Sequence, residues 1–265
     1  MQSRRIPHLG HVLLFLLLTF VSLLLAQTLT LAATGSLHST NKILETIQNE
    51  KLQLATSALT YLIALIACAA VFPTLWRRAF LSGLHWNVLA ARPKLALFGL
   101  LLGFGSQAVS TLLPIPRHLP IDTLFHTREL AWFLVFFGTI FAPLFEEILF
   151  RGFLLPAIAV TIDWLRLPRS FEALTAWQHS ETFSRPALVT SSILTSLLFA
   201  LIHAPQLGYT VAALALLAVI SLILCVIRIR TNSVAASTLV HSCYNLSVFL
   251  TLFASTSGFR HLDRI

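Results

Sequence analysis

Apolar residues in this chain fall in long unbroken runs. They do not alternate as in a half-buried strand, and they lack the three-four spacing of a soluble amphipathic helix. Seven runs stand out, at about 11–33, 54–76, 94–115, 130–158, 187–204, 208–227 and 233–254. Most carry no charge, and each is close to the ~20 residues a helix needs to cross hydrocarbon. The pattern predicts an all-α polytopic transmembrane helix bundle of about seven spanning helices, with roughly six to eight allowed by the length. The first run, preceded by Arg4 and Arg5 and ending Leu31-Ala32-Ala33, has some features of a signal peptide. It is longer than the usual h-region of about 7–15 residues, so a retained helix is expected. The longer connections differ in kind. Residues 34–53 read as a short amphipathic stretch. Residues 159–186 mix Asp163, Arg166, Arg169, Glu172 and Arg185 with Trp164, Leu165 and Trp177, as in an element lying along lipid headgroups.

Composition agrees with the pattern. The 265 residues are 57% hydrophobic and 11% charged, against about 45–50% and about 25% in soluble domains. The net charge of +8 sits at the ends of the runs, for example at Arg77, Arg78, Arg92, Lys94, Arg228 and Arg230. That placement fits headgroup anchoring and the positive-inside rule, and it speaks against nucleic acid as a partner. With the N-terminus inside, those residues and Arg166, Arg169 and Arg185 become cytoplasmic. Seven spans then put the C-terminus outside, which Arg260 and Arg264 disfavour; an eighth short or re-entrant element would reverse it. Cys68, Cys225 and Cys243 all lie in apolar runs, an odd number suited to small fillers rather than to a disulfide framework or a thiolate metal site.

Ionisable groups inside hydrocarbon cost about 2.5–3.5 kcal/mol each on insertion scales, which makes them candidates for function. The fourth run holds Glu146, Glu147 and Arg151, the fifth ends at His203, and the seventh holds His241 and Asn245. Glu147 and Arg151 are spaced i, i+4 and should pair on one helical face. Glu146 is rotated about 100° away and needs another partner. Pro143 crowds the carbonyl of Thr139 and predicts a bend, either a packing kink or room beside Glu146. Pro205 predicts a helix end near Ala204, placing His203 in the last turn, where the dipole favours a charged ring. Taken singly, His203 reads as an interfacial anchor, and His241 or Asn245 as interhelical glue among the small residues Ala235, Ala236, Ser237, Ser242 and Cys243. Together, a carboxylate, two imidazoles and an amide on three apolar helices are what a buried water-activating site needs.

The pattern Glu146-Glu147-x-x-x-Arg151, then Phe199-x-x-x-His203, then His241-x-x-x-Asn245 resembles the three motifs of the CPBP family. That family comprises the type II CAAX prenyl proteases and the bacteriocin-immunity (Abi) proteins. The resemblance covers about residues 130–255 and divides the chain into N-terminal transmembrane helices of unassigned role, 1–120, and a CPBP-like catalytic core, 121–265. It implies a membrane endopeptidase in which Glu146 and His203 activate water and His241 and Asn245 stabilise the oxyanion. It assigns Glu147, Arg151 and Phe199 to the support of the site. The family has often been called metalloproteases. Glu146, His203 and His241 are the residues that would hold zinc, although no H-E-x-x-H occurs and Asn is a poor zinc ligand. The implied partners are the lipid bilayer and a peptide or protein substrate, lipidated or not, in a bacterial cytoplasmic membrane. Two readings compete. One is a non-catalytic binding or immunity protein using the same cavity. The other is a proton-coupled transporter, which the lack of internal repeats disfavours.

Overall fold

The computed structural model describes residues 6–116, 118–180 and 182–264. In chain order the elements are α1 (Leu9–Ala33), α2 (Thr40–Gln48), α3 (Glu50–Trp76), α4 (Phe80–Gly83) and α5 (Pro93–Ser110). A 3₁₀ segment, Pro120–Phe125, leads into a rod built of α6 (Arg128–Phe136), α7 (Ala142–Glu147) and α8 (Leu155–Arg166), joined by π-helical turns at Phe137–Phe141 and Ile148–Leu154. Then come α9 (Phe171–His179), α10 (Arg185–Ile202), α11 (Val211–Thr231) and α12 (Val234–Ser255). Among the described residues no strand occurs.

Six helices are long and apolar enough to cross a membrane: α1, α3, the 39-residue rod, α10, α11 and α12. The chain is a multi-pass integral membrane protein. The run at 94–115 becomes α5, which is not among the six; Lys94, Gln107 and three glycines dilute its apolar character. The run at 130–158 extends to Arg166, so residues 159–166, expected in a headgroup element, are helical instead. Asp163 tolerates burial there because its carboxylate accepts the Ser184 N–H at 3.2 Å. The remainder of that connection does form a short helix, α9, and Arg169 stacks 4.2 Å above the Trp164 ring.

The chain divides into two compact units, one of residues 13–80 and one formed by residues up to 12 together with 81 onward. In the first, α1 and α3 are tied by Thr30 and Thr56, whose hydroxyls stand 2.9 Å apart. The stretch at 34–53 carries α2, where Ser36 and Thr46 make a buried contact of 2.8 Å. Asn49 caps α3 by accepting the Leu52 N–H.

The second unit carries every polar residue singled out inside the later runs. In it α5 lies parallel to α12. Gly99 faces Val240 and Cys243, and Gly103 faces Tyr244 and Ser247, so closely that a Cβ at Gly99 would stand 2.5 Å from the Val240 carbonyl. Small residues let the two backbones approach where lipid offers no hydrophobic drive for association. Ser196 and Cys225 set α10 antiparallel to α11, with Oγ and Sγ 3.7 Å apart. One end of the unit gathers residues 85–94, the C-terminus of α8, the start of α10 and the α11–α12 turn. There the Val234 N–H donates to the His85 carbonyl, and Ser233 Oγ donates to that of Asn87. The other end gathers the 3₁₀ segment, the 203–210 turn and the tail after α12. There Ile121 N–H donates to the Gln206 carbonyl, and Phe125 and Phe249 lie 6.2 Å apart. All three cysteines are free, with Cys68 and Cys225 fully buried.

Candidate active site

The second unit brings the three motifs together. The pairing expected inside the rod is present: Arg151 Nη1 donates to Glu147 Oε1 at 2.9 Å, and both side chains are completely buried. A partner from another helix completes the arginine. Its Nη2 donates to the carbonyl and hydroxyl oxygens of Ser221 on α11, at 2.9 and 2.8 Å. Phe199 on α10 takes a third side of the guanidinium, with its ring centroid 4.8 Å from Cζ. Nothing in the sequence singled out Ser221. A serine midway along an otherwise apolar helix was the available signal.

Glu147 also holds a histidine. His241 Nδ1 lies 3.0 Å from the same Oε1 that takes Arg151. A carboxylate only accepts, so Nδ1 carries the hydrogen and the Nε2 lone pair of a neutral ring points away from Glu147. That Nε2 stands 3.7 Å from Glu146 Oε2.

His203 reaches Glu146 from the opposite side, with Nε2 3.9 Å from Oε1. It caps α10, which ends at Ile202, two residues before the Ala204 that Pro205 predicts, so His203 follows the last turn rather than lying in it. Its Nδ1 donates to the Phe199 carbonyl at 2.7 Å, using a carbonyl that the end of the helix leaves orphaned. Glu146 thus faces two imidazole Nε2 atoms, each fixed by a bond at its other nitrogen. Both separations exceed a direct hydrogen bond, leaving a gap in which a water can bridge. Exposure rises across the cluster, from 0% at Arg151 and Glu147 through 6% at His241 to 17% at Glu146 and 18% at His203. Phe199 stacks within the group, 4.7 Å from the His203 ring and 5.7 Å from the His241 ring.

Asn245 sits one turn beyond His241 on α12 and is anchored differently. Its Nδ2 donates to the Gly138 carbonyl at 2.7 Å. Pro143 explains why that carbonyl is free. In the π turn the Ala142 N–H bonds to Phe137 O, five residues back. The corresponding partner for Gly138 O would be the N–H of residue 143, which proline lacks. The bend expected at Pro143 is therefore a π turn, and the carbonyl it liberates is Gly138's rather than Thr139's. One Asn245 amide hydrogen remains to donate elsewhere.

Glu146, His203 and His241 are also the residues that would hold a metal. Both rings show the Nδ1 bond to a carbonyl or carboxylate that metal-bound histidines commonly make. Even so, among the described residues no three His, Cys, Asp or Glu side chains are disposed to hold a metal ion.

Residues 128–247 match a family model described as type II CAAX prenyl endopeptidase Rce1-like. This part of the chain is similar to that family of membrane proteases, the CPBP/CAAX class that the motifs resemble. The motifs mark Glu146, Glu147, Arg151, Phe199, His203, His241 and Asn245 but not Ser221, and all eight lie inside the matched region. Comparison with curated proteins and with solved structures gave no match.

Proposed function

We propose that the protein is an intramembrane endopeptidase that hydrolyses a peptide bond with water activated by Glu146 and His203. The observation that carries this reading is the placement of a partly exposed Glu146 near two imidazole nitrogens, at 3.9 and 3.7 Å, beside the fully buried Glu147 and Arg151. Water held between Glu146 and His203 gives up a proton to the pair and attacks the carbonyl carbon. The carbonyl oxygen gains negative charge as the tetrahedral intermediate forms. His241 and the second amide hydrogen of Asn245 donate to it. His241 does so as an imidazolium, because its Nδ1 hydrogen is committed to Glu147 and only a second proton makes Nε2 a donor. Collapse of the intermediate expels the amine, which takes the proton held by the Glu146–His203 pair.

In this reading Glu147, Arg151 and Phe199 are positioning residues. Glu147 orients His241, Arg151 neutralises and fixes Glu147, and Phe199 packs between both rings. We place the chemistry on side chains alone. Asn245 is a good oxyanion donor and a poor zinc ligand. The substrate is a peptide or protein at the bilayer, with or without a lipid, and the setting is the bacterial cytoplasmic membrane. The test compares peptide ends in membranes carrying wild-type protein with those carrying Glu146→Ala at equal abundance. Ends present only with wild-type protein are expected; identical sets of ends reject the proposal.

A further inference from the structure

The rod and α10 are consecutive apolar spans; the rod ends at Arg166 and α10 begins at Arg185. Charged ends of apolar helices lie at the level of lipid headgroups. The connection between them returns to its start, because Asp163 near the end of α8 accepts the Ser184 N–H at 3.2 Å. Between the last turn of α8, α9 and the first turn of α10 the connection forms a cavity of about 550 Å³. Small-molecule sites occupy about 300–1,000 Å³. None of the groups assigned to the chemistry above lines this cavity.

The lining is of two kinds. Leu167, Pro168, Ala173, Trp177 and Phe183 make an apolar wall, and Arg166 supplies an exposed positive charge. Asp163 lines it too, but that carboxylate is buried and engaged by Ser184. Two more exposed arginines adjoin the lining. Arg169 follows Pro168 and lies 4.2 Å over the Trp164 ring, and Arg185 stands between Ser184 and Pro186, both of which line the cavity. Among the described residues none of these three arginines pairs with a carboxylate. A guanidinium offers donors in a rigid fork that matches phosphate oxygens. Basic pockets between membrane helices at headgroup level take anionic lipid headgroups.

We propose that the cavity between α8, α9 and α10 binds one anionic glycerophospholipid, with its phosphate on Arg166 and the upper part of an acyl chain along the apolar wall. Each half of the lining argues for this ligand. A free phosphate compound leaves the apolar wall uncovered. A zwitterionic lipid brings a cation toward three arginines that have no counter-charge. The lipid would tie α8 to α10, which are the continuation of the helix carrying Glu146 and the helix that ends at His203. The site stands whether or not the protein cleaves peptides, since its residues are separate from the catalytic cluster.

Native mass spectrometry of the whole protein, released from detergent, tests the proposal. The protein is mixed with dioleoylphosphatidylglycerol or with dioleoylphosphatidylcholine. One phosphatidylglycerol is expected to stay bound in preference to phosphatidylcholine. Arg166→Ala should weaken its retention about fivefold. Ala176→Trp, which fills the cavity and leaves the charge unchanged, should weaken it as well. Arg128→Ala removes an exposed arginine from the opposite end of the same rod and should leave retention unchanged. Glycerol 3-phosphate should not displace the lipid. Equal retention of the two lipids, equal effects of Arg166→Ala and Arg128→Ala, full retention by Ala176→Trp, or displacement by glycerol 3-phosphate overturns the proposal. So does a bound polypeptide in place of lipid. Melting temperatures confirm that each variant is folded, and Arg166→Gln takes the place of Arg166→Ala should that variant not accumulate.

Discussion

Arg151 and Ser221 are joined twice: one guanidinium nitrogen donates to both the carbonyl and the hydroxyl of the serine, across two helices and 70 residues of sequence. The site thereby gains a support that no motif marks. Removing Arg151 leaves the buried Glu147 carboxylate with His241 as its remaining partner, at a cost of up to about 3–5 kcal/mol. Arg151→Ala should lower thermal stability in detergent accordingly, whereas Glu147→Gln combined with Arg151→Met should recover most of the loss. Equal instability of the single and double variants would show that the pair does not act as a unit.

Glu146 makes no direct hydrogen bond to either histidine, since both approaches are 3.7 Å or longer. Glu146→Gln should therefore leave thermal stability nearly unchanged while cleavage falls by about 10²–10⁴-fold. His203→Ala should behave similarly in cleavage. A stable Glu146→Gln protein that still cleaves would remove Glu146 from the chemistry.

Asn245 should fail in two ways at once. Asn245→Ala leaves the Gly138 carbonyl without its partner, costing about 1–3 kcal/mol, and it removes an oxyanion donor worth about 10²–10³ in rate. Thermal unfolding and turnover measured on one preparation separate the two losses. Full stability with lost turnover would mean that the Gly138 bond contributes little.

Two glycines of α5 predict opposite outcomes. Gly99→Ala drives a methyl against the Val240 backbone and should cost about 1–3 kcal/mol or more. Gly105→Ala meets open space and should be neutral or stabilising by about 0.5–1 kcal/mol. Matching melting temperatures for the two variants would contradict the close seat of α5 on α12.

If side chains alone do the work, cleavage should survive prolonged treatment of purified protein with a strong chelator, and added zinc should not raise it. Loss of activity on chelation, restored by zinc, would shift Glu146, His203 and His241 from proton transfer to ligation.

The sequence made the spans and the ionisable residues legible because both are local signals. An apolar run declares a membrane helix, and a charge inside it is conspicuous at its price of insertion. The Glu147–Arg151 pair followed from helical spacing alone. The convergence of Glu146, His203 and His241 is a tertiary fact, reached beforehand only through the resemblance of three motifs. Ser221 escaped notice because one hydroxyl among Leu and Ile looks like any small polar residue in a span. The π turns escaped for another reason: a shift from four-residue to five-residue hydrogen bonding leaves no trace in hydropathy. Only Pro143 hinted at it, and the carbonyl it freed was displaced by one residue from the one expected. The run at 130–158 reads short in the sequence because Asp163 suggests a loop unless its Ser184 partner is known.

The match to the family model begins at Arg128, yet α5 ends at Ser110 and its glycines are pressed into the back of α12. A fragment trimmed to the matched stretch would keep each acid, base and amide of the pocket and forfeit the wall behind His241 and Asn245. Likeness and architecture therefore draw different borders in this chain: the stretch that resembles the family is smaller than what must be synthesised for that stretch to stand.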